Sequence, residues 1–226
     1  PGELNAAINE NTVAVFMEPI QGEAGIILPQ EGYLKSVEKM CKENNVLLML
    51  DEIQTGFGRT GKLFCYEHED VEPDVIIVGK ALGAGVIPVS GIICDDEVMD
   101  VFNPGDHGST FGGNPLGCAV GEAAIDVIVE EKLSERSAEF GDYLMGKLKE
   151  INSPFVKEIR GKGLFIGVEI KEEHRTARPY CEKLKQLGIL AKETHHQVIR
   201  FAPPLVISKE ELDWALEQIR KVLLPE

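Results

Sequence analysis

VLLMLDEIQTGFGRTGK, residues 46–62, decides how this chain is read. Its first five residues, Val46 to Leu50, are apolar without alternation. That is the pattern of a strand buried on both faces, as in a parallel sheet covered by helices. Two carboxylates, Asp51 and Glu52, stand at the mouth of this strand, and glycines follow. About one strand further on, the apolar run Val75 to Val78 is succeeded by GKALGAG, residues 79–85. Asp51 and Lys80 each therefore close a strand at its carboxyl end, which is where open α/β sheets bind ligands. Side chains alternate along an extended strand, so Glu52 faces away from Asp51 and reads as structural.

Working outward, Val13 to Met17 and Val89 to Cys94 read as further short buried strands. Between the first two strands, Gly32 to Asn45 puts Leu34, Val37, Met40 and Cys41 on one helical face and ends in Asn-Asn, a helix stop. Strand, helix and strand in this length imply a parallel crossover, hence an α/β sheet. From Pro115 the pattern changes. PLGCAVGEAAIDVIVEE opens with proline at a first helical position, and a second helix is expected over Leu133 to Ile151. VKEIRGKGLFIGVEI (156–170), GILAKE (188–193) and QVIRFAPPLVI (197–207) supply strand candidates. A helix is expected around Arg178 to Leu187, and another from Ser208 to Leu224, where Ser208 and Glu211 form a capping box. The expected division is 1–125 and 126–226, a mainly parallel part followed by an α+β part.

Composition narrows the partners. The chain has 226 residues, with 23 basic against 38 acidic side chains and a net charge of −15. Such a balance repels nucleic acid and anionic membrane surfaces, leaving small molecules or proteins. Cys41, Cys65, Cys94, Cys118 and Cys181 are scattered singly without CxxC spacing, which suits a reducing compartment better than a disulfide framework or zinc ribbon. With no bilayer-length apolar run and no secretory leader at the start, the expected location is the cytoplasm. GFGRTGK lacks the spacing of a phosphate loop, and Lys62 is followed by Leu63. His195-His196 has no third ligand at suitable spacing, so both are read as loop residues.

Taken singly, the chemical candidates have bland readings. Asp51 could be a helix cap, Lys80 a solvated lysine, and HGSTFGGNP (107–115) a tight turn built from ordinary turn residues. Their combination carries more. MEPIQGEAG (17–25), LDEIQTGFGRTGK (50–62), PDVIIVGKALGAGVIPVSG (73–91) and HGSTFGGNPLGCAV (107–120), in this order, resemble the class III pyridoxal-phosphate aminotransferases. The match runs over essentially the whole chain. VIRFAPPLVI (198–207), preceded by ILAKETH (189–195), narrows the resemblance to members that act on ornithine, with those acting on acetylornithine sharing several of the motifs.

The resemblance implies a fold-type I α/β transferase: the later half of a large cofactor domain (1–125) and a C-terminal small domain (126–226). It implies pyridoxal 5'-phosphate as cofactor, with Lys80 bonded to its aldehyde carbon and then acting as base and acid. Asp51 would pair with the pyridine nitrogen, Ile53 would pack on the ring and Gln54 would bond its phenolic oxygen. Ser109 and Thr110 would reach the cofactor phosphate of a neighbouring subunit, which implies a homodimer. Arg200 would clamp the α-carboxylate of glutamate or 2-oxoglutarate, and Glu23 would mask that arginine while ornithine presents its δ-amine. The implied reaction gives glutamate semialdehyde and glutamate.

Family members carry an N-terminal region before MEPIQGE that contributes to the cofactor and ornithine sites and is absent from these residues. A missing N-terminal segment is therefore an implied partner. Two alternatives stay open: an inactive truncated fragment or binding module, and a transaminase of acetylornithine or another ω-amino acid.

Overall fold

The computed structural model describes residues 1–174 and 176–225. Contacts divide the chain into two units. The first comprises Pro1–Pro19, Pro29–Phe57 and Phe64–Glu131; the second takes Ile20–Leu28, Gly58–Leu63 and the chain from Lys132 onward. The expected border at 125/126 falls inside a continuous helix, Pro115–Glu130, so the division by contacts comes after that helix ends.

The first unit holds α1 (Gly2–Ala7), β1 (Ala14–Met17), α2 (Tyr33–Asn44), β2 (Leu47–Asp51), β3 (Val75–Val78), β4 (Gly91–Cys94), α3 (Asp96–Met99) and α4 (Pro115–Glu130). Its sheet runs β1-β2-β3-β4 in space, the first three strands parallel and β4 antiparallel to β3. α2 buries Leu34, Val37, Met40 and Cys41, the apolar face anticipated from its spacing, and stops at Asn45, which adopts the left-handed conformation that lets the chain reverse. Leu34, Val37 and Cys41 pack on Val15, Leu48 and Leu50 of the sheet. Two parallel strands linked through this helix are what the continuous apolar runs required. The run ending at Cys94 behaves differently. Rather than being buried, β4 is the last strand of the order and exposes Ile92 (46%) and Ile93 (50%).

The second unit contains α5 (Leu133–Glu150), β5 (Val156–Lys162), β6 (Phe165–Ile170), α6 (Arg178–Gln186), β7 (Lys192–Thr194), β8 (Val198–Phe201) and α7 (Lys209–Leu223). Its antiparallel sheet has the order β5-β6-β8-β7. Ile166, Val168, Ile170 and Ile199 of the sheet pack with Leu144 and Leu148 of α5, Leu184 of α6 and Leu212, Ile219 and Val222 of α7. Ser208 and Glu211 form the expected reciprocal cap at the start of α7. The strand expected over 188–193 begins only at Lys192. Its first residues finish α6 instead: Gly188 takes a left-handed φ of +89° and the Ile189 N–H closes on the Leu184 carbonyl at 2.9 Å.

Two excursions of the chain join this second unit. Segment 58–63 is pinned by Ser137, whose hydroxyl donates to the Arg59 carbonyl (3.0 Å) and accepts from the Leu164 N–H (3.1 Å). Gly163 permits the approach, because a Cβ there would stand 2.5 Å from the Thr60 backbone and its φ is +54°. Segment 20–28 inserts the fully buried Ile26, and Arg160 grips it by donating to the carbonyls of Gly25 (2.7 Å) and Ile26 (2.9 Å). Among the described residues no helix is long and apolar enough to cross a membrane.

Candidate active site

Register brings Asp51 and the Lys80 turn to one edge of the first sheet. Asp51 lies opposite Ile77 in the parallel ladder, and the Glu52 N–H extends it to the Ile77 carbonyl at 2.9 Å. Lys80 comes three residues after Ile77, past the end of β3. Asp51 also turns its own chain away from the sheet: its Oδ1 accepts the Ile53 N–H at 2.9 Å. This aims Ile53 back across the strand end. Its side chain lies over Gly79, with Cγ1 3.5 Å from where a Cβ on Gly79 would sit, beside Ser90 at 3.4 Å.

Lys80 is exposed and opens a tight helical turn, Lys80–Gly83, with φ +43°. That conformation costs a residue with a Cβ about 1–2 kcal/mol, and such strain tends to collect at functional positions. Gln54 is half-buried on the turn after Ile53. Glu52 is wholly buried, bonded by the Thr55 hydroxyl and by the Tyr66 N–H (2.9 Å). Burial pushes its carboxyl above the ordinary range, against the pull of Thr55 and of the Tyr66 and Cys65 N–H groups. It anchors the following loop.

The loop carrying Ser109 and Thr110 is exposed. Ser109 Oγ accepts the Gly112 N–H at 2.9 Å, and Asn114 caps α4 by accepting from Gly117 N at 2.8 Å. α4 in turn lies against the Lys80 turn, where a Cβ on Gly121 would meet Leu82 Cδ1 at 3.3 Å. Among the described contacts, neither Ser109 nor Thr110 is brought to Asp51 or Lys80.

A second group of charged side chains is built entirely within the second unit. Lys192 on β7 and Arg200 on β8 are direct cross-strand partners, and Glu23 from segment 20–28 joins both. Arg200 Nη1 donates to Glu23 Oε1 at 2.6 Å and Lys192 Nζ to Oε2 at 2.8 Å. The Lys192 hydrogen bond leads in holding the Glu23 carboxyl down to about 2; partial burial opposes it and Arg200 reinforces it. Arg59, in the glycine-rich loop, donates to the carbonyls of Leu164 (3.1 Å) and Pro203 (2.6 Å). Burial, and then the Arg200 charge, lower it to about 10.

Lys192 and Arg59 were not singled out from the sequence. For Lys192 a signal existed: a hairpin centred on His196 in KETHHQVIR pairs Thr194 with Val198 and therefore Lys192 with Arg200. For Arg59 none did, since its acceptors lie 105 and 144 residues away. His195 and His196 form the exposed turn of that hairpin, both at positive φ. Among the described residues no cluster of three or more His, Cys, Asp or Glu could hold a metal ion.

The chain belongs to the class-III aminotransferase family, whose model matches residues 2–223. Among its relatives is the ornithine aminotransferase of Brevibacillus brevis, 64% identical over 220 residues, covering 97% of this chain and 54% of that protein. The ornithine aminotransferase of Macrococcus caseolyticus is 60% identical, covering 97% and 55%. The chain thus spans about half the length of the curated relatives it matches.

Among solved structures, ornithine aminotransferase from Toxoplasma gondii, which shows partial occupancy of PLP at its active site, superimposes with a TM-score of 0.95 at 46% identity, covering 98% of this chain and 53% of that one. Acetylornithine aminotransferase from Elizabethkingia anophelis gives 0.91 at 45% identity, covering 98% and 56%.

Proposed function

We propose that the protein of which this chain forms part transfers the δ-amino group of ornithine to 2-oxoglutarate in the cytoplasm, with pyridoxal 5'-phosphate as cofactor. The relatives' names support ornithine as the amino donor. The observation that carries the reading in this chain is the bond between Glu23 and Arg200. A guanidinium suited to a carboxylate is held by a carboxylate of the protein itself, so the same position can be open to one substrate and closed to another.

The residues present fit the cofactor: the residues at one sheet edge include a primary amine, a carboxylate and an aliphatic platform over Gly79. When bound, pyridoxal phosphate supplies an electron sink conjugated to the amine-bearing carbon. Lys80 Nζ would hold the cofactor through its aldehyde carbon and would serve as the base and acid that moves the proton of the substrate carbon bearing the δ-amine. The Asp51 carboxylate holds a proton on the pyridine nitrogen. Ile53 and Gln54 fix the ring's face and its phenolic oxygen. Ser109 and Thr110 address the phosphate held by a neighbouring copy, which makes the working enzyme a homodimer. Arg200 takes the carboxylate of 2-oxoglutarate or glutamate, and Glu23 covers it when ornithine is bound. In this reading the first unit is the later half of the cofactor domain and the second is the small domain.

The test combines the chain with a complementary N-terminal portion from a relative and adds the cofactor. A visible absorption band and a borohydride-trapped adduct mapping to Lys80 are expected, and Lys80→Ala should remove both and reduce turnover by at least about 10²-fold. A band that persists in that variant would falsify the lysine assignment. The similarity to an acetylornithine aminotransferase supports a second reading; turnover favouring acetylornithine over ornithine would establish it. Poor or absent cofactor binding without turnover of either would support an inactive fragment or binding module.

A further inference from the structure

Lys192 is absent from the roles given above, yet it bonds the carboxylate on which the exchange of substrates depends. We infer that Lys192 is a positioning residue for substrate exchange: it is the second anchor of Glu23, keeping that carboxylate when Arg200 turns to a dicarboxylate substrate. This inference rests on the proposed roles of Glu23 and Arg200.

The geometry is that of one anion shared by two cations, each holding a different oxygen, Oε1 for Arg200 and Oε2 for Lys192. The cations face each other directly across the β7–β8 ladder, where like charges repel unless something lies between them. The main chain of Glu23 is held independently of both. Thr194 Oγ1 donates to the Glu23 carbonyl, Arg160 grips the carbonyls of Gly25 and Ile26, and the Ile26 side chain is buried. With its backbone held at these points, Glu23 can leave Arg200 by side-chain rotation alone.

Exposure separates the two cations. The Arg200 side chain is 20% exposed and that of Lys192 56%. Arg200 is the sheltered member, where a carboxylate ligand is bound with less screening, and Lys192 is the solvated one, where a displaced carboxylate can wait at little cost. Without Lys192, freeing Arg200 leaves the Glu23 anion uncompensated beside an incoming dicarboxylate. The penalty falls on the dicarboxylate and spares ornithine, which leaves the Glu23–Arg200 bond intact.

The experiment measures binding of glutarate, a dicarboxylate with no amine or keto group, to the 226-residue chain by calorimetry. Lys192→Gln should weaken glutarate about fivefold, the loss expected for one solvated ion pair, and Lys192→Arg should restore it. In a Glu23→Gln background the same Lys192→Gln change should alter binding by less than about twofold, because the two residues act as one unit. Equal losses in both backgrounds would mean that Lys192 only adds positive charge, and no loss in either would mean that it does nothing for the ligand; each overturns the inference. Arg200→Ala distinguishes the underlying reading. If it binds glutarate as the parent chain does, the assignment of Arg200 itself falls and this inference falls with it. In the complemented enzyme, Lys192→Gln should raise KM for 2-oxoglutarate while leaving KM for ornithine and kcat unchanged.

Discussion

Isoleucines in antiparallel ladders occupy opposite surroundings in the two units. Ile92 and Ile93 of β4 stand about half exposed, at 46% and 50%, and Phe16 of β1 is exposed at 62%. Ile166, Ile170 and Ile199 of the second sheet are completely buried beneath α5, α6 and α7. The difference teaches that the two units meet the demand for burial in different ways. The second closes its core with its own helices. The first covers its sheet through α2 and leaves apolar side chains exposed on its outer strands.

The largest test of this contrast is a matched pair of substitutions. Ile166→Ala removes a buried side chain from the second core and should cost about 2–5 kcal/mol, read from the fluorescence of Trp214, the chain's single tryptophan, on α7. Ile92→Ala should cost under about 1 kcal/mol in a far-UV denaturant melt. Similar losses would erase the contrast. A smaller effect is local. Amides of β6 and β8 should exchange with solvent at least about tenfold more slowly than those of β1 and β4, since protection follows burial and density of contacts; comparable rates would show the first sheet to be equally closed.

The smallest effect concerns two glutamates displaced in opposite directions. Glu23 falls from 4.5 to about 2, chiefly through Lys192, so its contribution to stability is present above pH 4.5 and is lost as pH falls toward 2. Glu52 is raised by burial, so its contribution is present below its unfolded value and is lost as pH rises through the folded one. Glu23→Gln should flatten the acid limb of a stability profile in the second unit, and Glu52→Gln should remove a loss of stability on the rising side in the first. Carbon-detected titration of the two carboxyls checks the signs directly; movement in the same direction would contradict both assignments.

Much of the fold was legible because its signals are local. The apolar runs at Val46–Leu50 and Val75–Val78, the spaced face of α2 and the Ser208–Glu211 cap each depend on residues within a few positions of one another. β4 was misread as buried because an apolar run does not say whether its strand lies inside a sheet or at its end. The late start of β7 was missed because Gly188 serves the preceding helix before the strand begins. Asp51 and Lys80 could be located at strand ends from sequence, but their common edge needed the register between β2 and β3.

By itself, then, the sequence determined the α/β pattern of the first part, the helices with their caps and the motifs that mark the family, all of which are set by neighbours along the chain. Tertiary structure decided that residues 20–28 and 58–63 join the second unit, that Lys192 faces Arg200, and that Glu23 lies bonded to both. The Glu23 contacts span 169 and 177 residues of chain. Hydrogen bonding and charge pairing act over a few ångströms of space, so packing must carry such distant residues within that range before their chemistry can combine.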